Sequence, residues 1–381
     1  MLNPLKIRAI YLCMYMAFAF WRVYYNVFLK DLGFPGAQIG TINALMQATF
    51  FFIVAFWGAV ADRRGIRPTL RFVAIGAAIS MFFLRDVQTF ALLLFYIPLL
   101  TVFYNPIGPL TDAMATQYAH SEKKHSFGGF RLWGSMGWAI ASIGGGFLFD
   151  VISLEYIFAI SAAFFLLSTI FLSTRRKKQT FRPHFERLGF KEIAANKPLV
   201  LLSILVVFYG IVCAPVHSYI NLYFTELDSG NDTVGFAYAI MATSELPLFI
   251  LGNRLLKKWG AHWVIYIAIF TMFIRFILYG LFPFPAVGLA VGIMQGVTLP
   301  FFLVGIVDYL HKLLPGRHAT GQSLVWGLFI GVGQTSGNLI IGSMLDRAGM
   351  VGVMKIFVPV AFLCLLYGIW YFNRNARVKG T

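Results

Sequence analysis

Long apolar runs, separated by short clusters of charge, proline and glycine, alternate along the whole chain. A helix needs about 20 mainly apolar residues to cross a bilayer. Reading between the breaks gives twelve such segments: 7–29, 36–60, 68–84, 89–117, 128–150, 154–174, 199–225, 231–256, 261–281, 284–311, 317–345 and 350–373. The tenth follows Pro283 and carries Pro285 and Pro300; a proline removes an N–H and clashes with the preceding turn, so a break or kink is expected there. The first run follows Lys6 and Arg8 and continues to Leu29. It is too long for a signal-peptide core and lacks a small-residue cleavage site, so it is expected to be the first span.

The longest polar stretch, 175–197, opens with Arg175, Arg176, Lys177 and Lys178 and contains Pro183. It divides the pattern into two sets of six. The predicted fold class is an all-α membrane protein of twelve transmembrane helices in two pseudo-symmetric six-helix halves. Residues 1–174 and 199–381 form the halves, and 175–198 a cytoplasmic linker. Such repeats are the architecture of secondary transporters, with a solute site at the interface between them.

Composition agrees with the pattern. The 381 residues are 59% hydrophobic and 12% charged, against about 25% charged for a soluble domain whose surface must face water. The net charge of +16 would fit a nucleic-acid protein only if the basic residues formed a patch on a soluble face. They fall instead in the gaps between apolar runs. Gaps after even-numbered segments and the termini hold Arg63, Arg64, Arg67, Lys123, Lys124, Arg175 to Lys178, Arg254, Lys257, Lys258, Lys312, Arg317, Arg374 and Arg377. The other gaps hold little beyond Lys30, Arg85 and Arg347. The positive-inside rule then places both termini in the cytoplasm. Cys13, Cys213 and Cys364 sit far apart inside apolar runs, with neither metal-ligand nor disulfide spacing. No metal or cofactor is expected, and no nucleic acid partner.

The second and third segments are joined by GAVADRRGIRP, Gly58 to Pro68. This resembles the major-facilitator signature: a glycine, three residues, an acid, a basic residue and a glycine before further basics. On that reading Gly58 lets helices approach, Gly65 makes a tight turn, Asp62 sits at a helix terminus, and Arg63 and Arg67 pair across a gate. A degenerate copy, GNRLLKKWG from Gly252 to Gly260, lies between the eighth and ninth segments, with Leu256 in place of the acid.

NPIGPLTDA and FGGFRLWGSMGWA, in the fourth and fifth segments, resemble the branch containing lactose permease, the nucleoside–proton symporters and the phenylpropionate-type permeases. The resemblance implies that Asp112 and Arg131 bind solute while Trp138 stacks on it. The residues point the same way on their own account. A charge within a span costs at least about 2.5–3.5 kcal/mol on insertion scales, so it faces a cavity or a partner. Asp112 and Arg131 are expected to neutralise each other, and Trp138, two turns beyond Arg131, shares its face.

In the second half the resemblance carries over to Glu245, in ATSELPLF, as a residue of binding and coupling, and to Arg275 as the residue that helps the bound proton leave. Desolvation disfavours the charged form of a carboxyl group, which makes Glu245 the candidate proton carrier. His217 falls near a family acid; it binds solute, pairs with Glu245 or packs. Two positions depart from lactose permease: its coupling histidine and glutamate fall on Gln295 and Thr298, neither of which exchanges protons near neutral pH. Gln334 and Asn338, in GVGQTSGN, line the pathway or let helices approach closely. Arg22 has no counterpart in lactose permease; it snorkels, pairs with an internal acid, or faces the cavity and favours an anionic solute.

The function expected is proton-coupled uptake of a small organic solute (a sugar, nucleoside or aromatic acid) by a monomer in the bacterial inner membrane, driven by the proton gradient. The alternatives are a proton-driven exporter of drugs or metabolites and a membrane-embedded enzyme. The second would need a catalytic cluster at one membrane face, and the sequence offers none.

Overall fold

The structure, a computed structural model, describes residues 3–122, 126–172, 195–314, 321 and 324–378, and its regular structure is helical throughout the described residues. The linker expected over 175–198 lies outside the described residues for nearly its whole length, as do Lys123, Lys124, Arg175 to Lys178 and Arg317.

Helix α1, Pro4–Arg22, starts on an Asn3 cap whose side chain accepts from Lys6 N, with Pro4 in the first turn, where its missing N–H costs nothing. It stops mid-span and resumes as α2, Tyr25–Asp31. The interruption is matched by a contact from far along the chain. Asn221 Nδ2 donates to the Val23 carbonyl at 2.8 Å, taking that oxygen from the helical ladder. The second span is α3, Gly36–Ala48, and α4, Phe50–Arg64. They meet at Thr49, whose hydroxyl bonds back to the Leu45 carbonyl at 3.2 Å, a contact that bends helices. α5 is Ile66–Leu84. α6, Phe90–Tyr104, and α7, Ile107–Ser121, are separated at Asn105 and Pro106, where proline supplies no donor. α8, Phe127–Phe149, and α9, Tyr156–Phe171, follow.

After the linker come α10, Lys197–Glu226, α11, Asn231–Trp259, and α12, Ala261–Leu281. The tenth span is broken, as its prolines suggested, but not at a proline. Pro285 occupies the first turn of α13, Pro285–Gly292, and Pro300 lies inside α14, Gln295–Leu313. Between them Gly296 N and Val297 N bond three residues back, to Ile293 and Met294. A π-helical stretch, Gly327–Gln334, leads into α15, Thr335–Val378, which is two helices joined across Gly349 at φ 65°.

Eight of the described helical stretches have the length and hydropathy to cross a membrane by themselves. The other expected spans fall short for identifiable reasons. The first is interrupted at Val23, Tyr156–Phe171 has 16 residues, Asn231–Trp259 carries Glu245 and terminal charges, and the last two are merged across Gly349. The arrangement is consistent with the twelve spans expected. Backbone breaks at membrane depth are tolerated where they are buried in protein or line a cavity.

The turn at Gly65 recurs at Gly260. Both have positive φ (96° and 80°), both N–H groups bond four residues back at 2.7 and 2.8 Å, and both carbonyls accept from four residues on. Only glycine holds that conformation without strain, which explains Gly65 and Gly260 at corresponding turns of the two related motifs. Gly58 behaves differently from expectation: no described atom lies within 4 Å of where a Cβ would stand. Close approach is made elsewhere, by Gly40 and Gly342, where a Cβ on either would lie 2.7 Å from the other's Cα.

That contact belongs to a seal between the N-terminal and C-terminal halves, on the side away from the termini. Asp346 caps α3 through Gly36 N at 2.7 and 2.9 Å, and Asp150 Oδ1 accepts from Asn231 N at the start of α11. Asn43 Nδ2 donates to Asn26 Oδ1 at 3.0 Å, and Asn26 donates to the Ser218 carbonyl. On the side of the termini, Asp62, Arg63 and Arg67 of the GAVADRRGIRP motif make no ion pair among the described residues.

Candidate functional site

The polar residues of α1, α7, α8, α10, α11, α12 and α14 converge where the halves meet. On the N-terminal side the expected Asp112–Arg131 ion pair is not formed. Two tyrosines of α1, one turn apart, come between the charges. Tyr11 OH donates to Asp112 Oδ1 at 2.7 Å, and the Arg131 guanidinium lies over the Tyr15 ring, 4.5 Å from its centroid. A phenol is a strong enough donor to hold a carboxylate, and an aromatic face attracts a guanidinium. Each charge therefore has a neutral aromatic partner rather than a countercharge. Arg131 Nη1 is buried with no hydrogen-bond acceptor. Arg131 stays within electrostatic reach of Asp112 and, across the interface, of Glu245.

Trp138 sits on the same helix, partly buried against the apolar core. Arg131 packs on Tyr15 instead. Tyr11 and Tyr15 were not singled out from the sequence, although a signal existed. Arg8, Tyr11, Tyr15, Phe18 and Arg22 follow at steps of three and four residues, one face of a helix. Arg22 ends that stripe at the helix break. Its Nη1 contacts Met46 Sδ at 3.4 Å, and among the described residues no carboxylate pairs with it.

The C-terminal side is a network centred on Gln295. Arg275 Nη1 donates to Gln295 Oε1 at 2.6 Å and to Thr298 Oγ1 at 2.9 Å. Gln295 Nε2 donates to Glu245 Oε1 at 3.0 Å and lies 3.3 Å from His217 Nε2. Gln334, in the π-helical stretch, meets His217 Nδ1 at 2.7 Å. Arg275 needs the oxygen of Gln295 and Glu245 needs its NH₂, so the amide orientation is fixed from both sides. The contact to His217 Nδ1 is made by Gln334 Nε2, so the tautomer of His217 is set by the orientations of the two amides on either side of its ring.

His217 and Glu245 are thus joined through Gln295 and not directly paired. Gln334 proves to be a polar member of the network, while its neighbour Gly333 packs against Val207 and Gly210. Arg275 is fully buried, with Nε and Nη2 unpartnered. Its positive charge is met by neutral oxygens, at the two positions where the sequence departs from lactose permease. No cluster of three metal-ligating side chains occurs among the described residues.

Apolar helices, a seal across one end of two helical sets and ionisable residues gathered at their interface define a membrane transporter, not an enzyme. The chain belongs to the MFS_1 like family of the major facilitator superfamily, whose model matches residues 5–356. It is 26% identical over 367 residues to a maltose permease of Geobacillus stearothermophilus, covering 94% of this chain and 91% of that one. Similarity to the uncharacterized transporter YwbF of Bacillus subtilis is 24% over 344 residues, 89% of this chain and 83% of the relative. A multidrug resistance protein, MdtG of Salmonella arizonae, is 25% identical over 259 residues, 64% of this chain and 63% of the relative. The crystal structure of the nucleoside transporter NupG has the same fold, with a TM-score of 0.86 at 19% identity over 98% of this chain and 99% of that chain.

Proposed function

We propose that this transporter takes up a small organic solute (a sugar, a nucleoside or an aromatic acid) together with protons, by alternating access across a bacterial inner membrane. The observation that carries the reading is Glu245. It is an intramembrane carboxylate held by Gln295, in one network with Arg275 and His217, and within reach of Arg131 on the opposite half. A carboxylate at an inter-repeat interface is suited to take a proton from one side and give it to the other. Asp112, Arg131, Trp138, Arg22 and His217 are the proposed solute contacts, and Arg275, acting through Gln295, the group that expels the proton.

The seal of Gly40 against Gly342 and the asparagine contacts close the side away from the termini. With termini in the cytoplasm, this is the inward-facing state of a monomer that uses the proton gradient and no cofactor. Asp62, Arg63 and Arg67, without an ion pair among the described residues, fit an open cytoplasmic gate. The reading is tested with purified protein in liposomes. An inward proton gradient should drive accumulation of maltose, uridine or benzoate over protein-free liposomes, and a gradient without effect on any of them would reject it. The similarity to multidrug resistance proteins favours export as the second reading, in which the same gradient would drive solute out.

A further inference from the structure

A groove of about 1000 Å³ opens between α12, α14 and the last stretch of α15, and every residue lining it belongs to the C-terminal half. It faces outward: Trp263 is 56% and Phe270 51% exposed. Its floor is apolar, made by Ile267, Phe270, Leu365 and Ile369. Tyr266 and Tyr309 form walls, each edge-on to Phe372. From Trp263 to Phe270 the floor runs roughly 10 Å at 1.5 Å per residue, enough for part of one acyl chain. Apolar surface exposed on this scale marks a place where something other than water packs.

The mouth of the groove differs from its floor. It lies at the end of the molecule that carries the termini, where α12 begins and α14 and α15 run out, and His262, Lys312 and Asn373 line it. Trp259 and Trp370, next in sequence to the lining residues Gly260 and Ile369, are exposed with Trp263. Tryptophans gathered in this way mark the headgroup level of a bilayer. Lys257 and Lys258 end α11 just before Gly260, and Arg374 follows Asn373; all three are exposed. Against these bases stands a single acid. Residues 246–314 and 350–378 contain no Asp or Glu except Asp308, which holds Lys312 at 2.7 Å. An ammonium has three donors, so Lys312 keeps two for another partner. The loop motif shows the same imbalance. Asp62 stands beside Arg63 and Arg64 in the first copy, whereas in the second Leu256 takes the place of the acid and both lysines remain.

We propose that this groove binds one anionic phospholipid from the leaflet on the side of the termini. Its acyl chain lies along Ile267, Phe270, Leu365 and Ile369. Its phosphate meets Lys312 and His262, in the field of Lys257, Lys258 and Arg374. A zwitterionic headgroup would bring its own cation among these bases, whereas phosphatidylglycerol brings none. The first turn of α12, which no side chain caps, favours the same sign of charge. The bound lipid bridges three helices of one half and lies apart from the residues proposed to carry solute and proton.

Binding is read by native mass spectrometry of the purified full chain in detergent, titrated with dioleoyl phosphatidylglycerol or dioleoyl phosphatidylcholine. One equivalent of phosphatidylglycerol should bind about tenfold or more tighter than phosphatidylcholine, since each basic residue near the surface adds attraction for an anionic lipid. Lys257→Gln, Lys258→Gln and Lys312→Gln together should reduce that preference to about threefold or less. Arg63→Gln, Arg64→Gln and Arg67→Gln together, at the related turn of the N-terminal half, should leave it intact. Ile369→Trp fills the groove from its exposed rim and should weaken the first equivalent of both lipids. The thermal unfolding midpoint without added lipid, expected to match the unmodified protein in each variant, separates lost binding from a folding defect.

Equal affinity for the two lipids overturns the proposal, as does a preference that survives the three lysine changes. A dimer in detergent that Ile369→Trp dissociates would also overturn it, by making the groove a contact between two copies of the chain.

Discussion

At the residue scale the interface works with partners that carry no opposite charge. Asp112 leans on a phenol, Arg131 on an aromatic face, Arg275 on an amide and a hydroxyl. Such partners satisfy geometry but leave charge available, as a site needs when it must exchange protons and solute. Glu245→Gln should abolish accumulation against a gradient while sparing solute exchange at equal concentrations; full active uptake in that variant would remove Glu245 from the mechanism. Arg131→Lys should weaken solute binding about tenfold or more, because an ammonium offers no fork, and a dissociation constant measured by calorimetry checks it. Gln295→Leu deletes the hub and leaves Glu245 and part of Arg275 unmet. It should lower stability in detergent by about 1–3 kcal/mol, read from denaturant unfolding of the purified protein. The sequence pointed to Arg131 because charge inside a span has few explanations, and to Glu245 and Arg275 through the resemblance to lactose permease. Tyr11 and Tyr15 share a helical stripe with Arg8 and Arg22, but tyrosines are common in apolar helices and it takes the neighbours across the bundle to show which charges these two hold.

At the scale of elements, breaks and close approaches matter more than length. The boundaries of the helices were legible from apolar runs to within a few residues, since water and lipid impose them. The interruption after Arg22 was not, because its cause is Asn221, about two hundred residues away. The bend at Thr49 was likewise unmarked, since threonines abound in helices that do not bend. Helices α3 and α15 touch through Gly40 and Gly342 with no room for a side chain. Gly40→Val should force them apart and loosen the closed side. A Ser218→Cys substitution, placed within that seal, should become reactive to an impermeant maleimide from that side in the Gly40→Val background and stay protected without it. Equal labelling in both would mean that the seal does not depend on this contact.

For the whole molecule, the transport proposed is a rocking of two helical sets about a shared site, and the described contacts hold one end closed. Solute added to lightly buffered intact cells should make the medium more alkaline if protons enter with it, and more acidic if they exchange outward. A pH electrode distinguishes the two directions without knowledge of the stoichiometry. The magnitude should fall as the external pH rises, since fewer protons are then available to occupy Glu245.

The hydrophobic pattern was sufficient for the class of protein and consistent with its spans, and the matched motifs for the repeat of the Gly65 turn at Gly260, because each follows from local chemistry: transfer of apolar residues into lipid and a backbone angle that glycine alone tolerates. The partners of the charges were decided by the fold. Asp112 and Arg131 are nineteen residues apart in sequence and looked like a pair, yet a tyrosine from α1 reaches each of them first. Gln295 and Thr298 looked like the loss of a coupling site, yet they organise Arg275, Glu245 and His217. Which polar groups meet in a membrane depends on how helices far apart in the chain pack, and an unpaired buried charge shows itself only once every neighbour is in place.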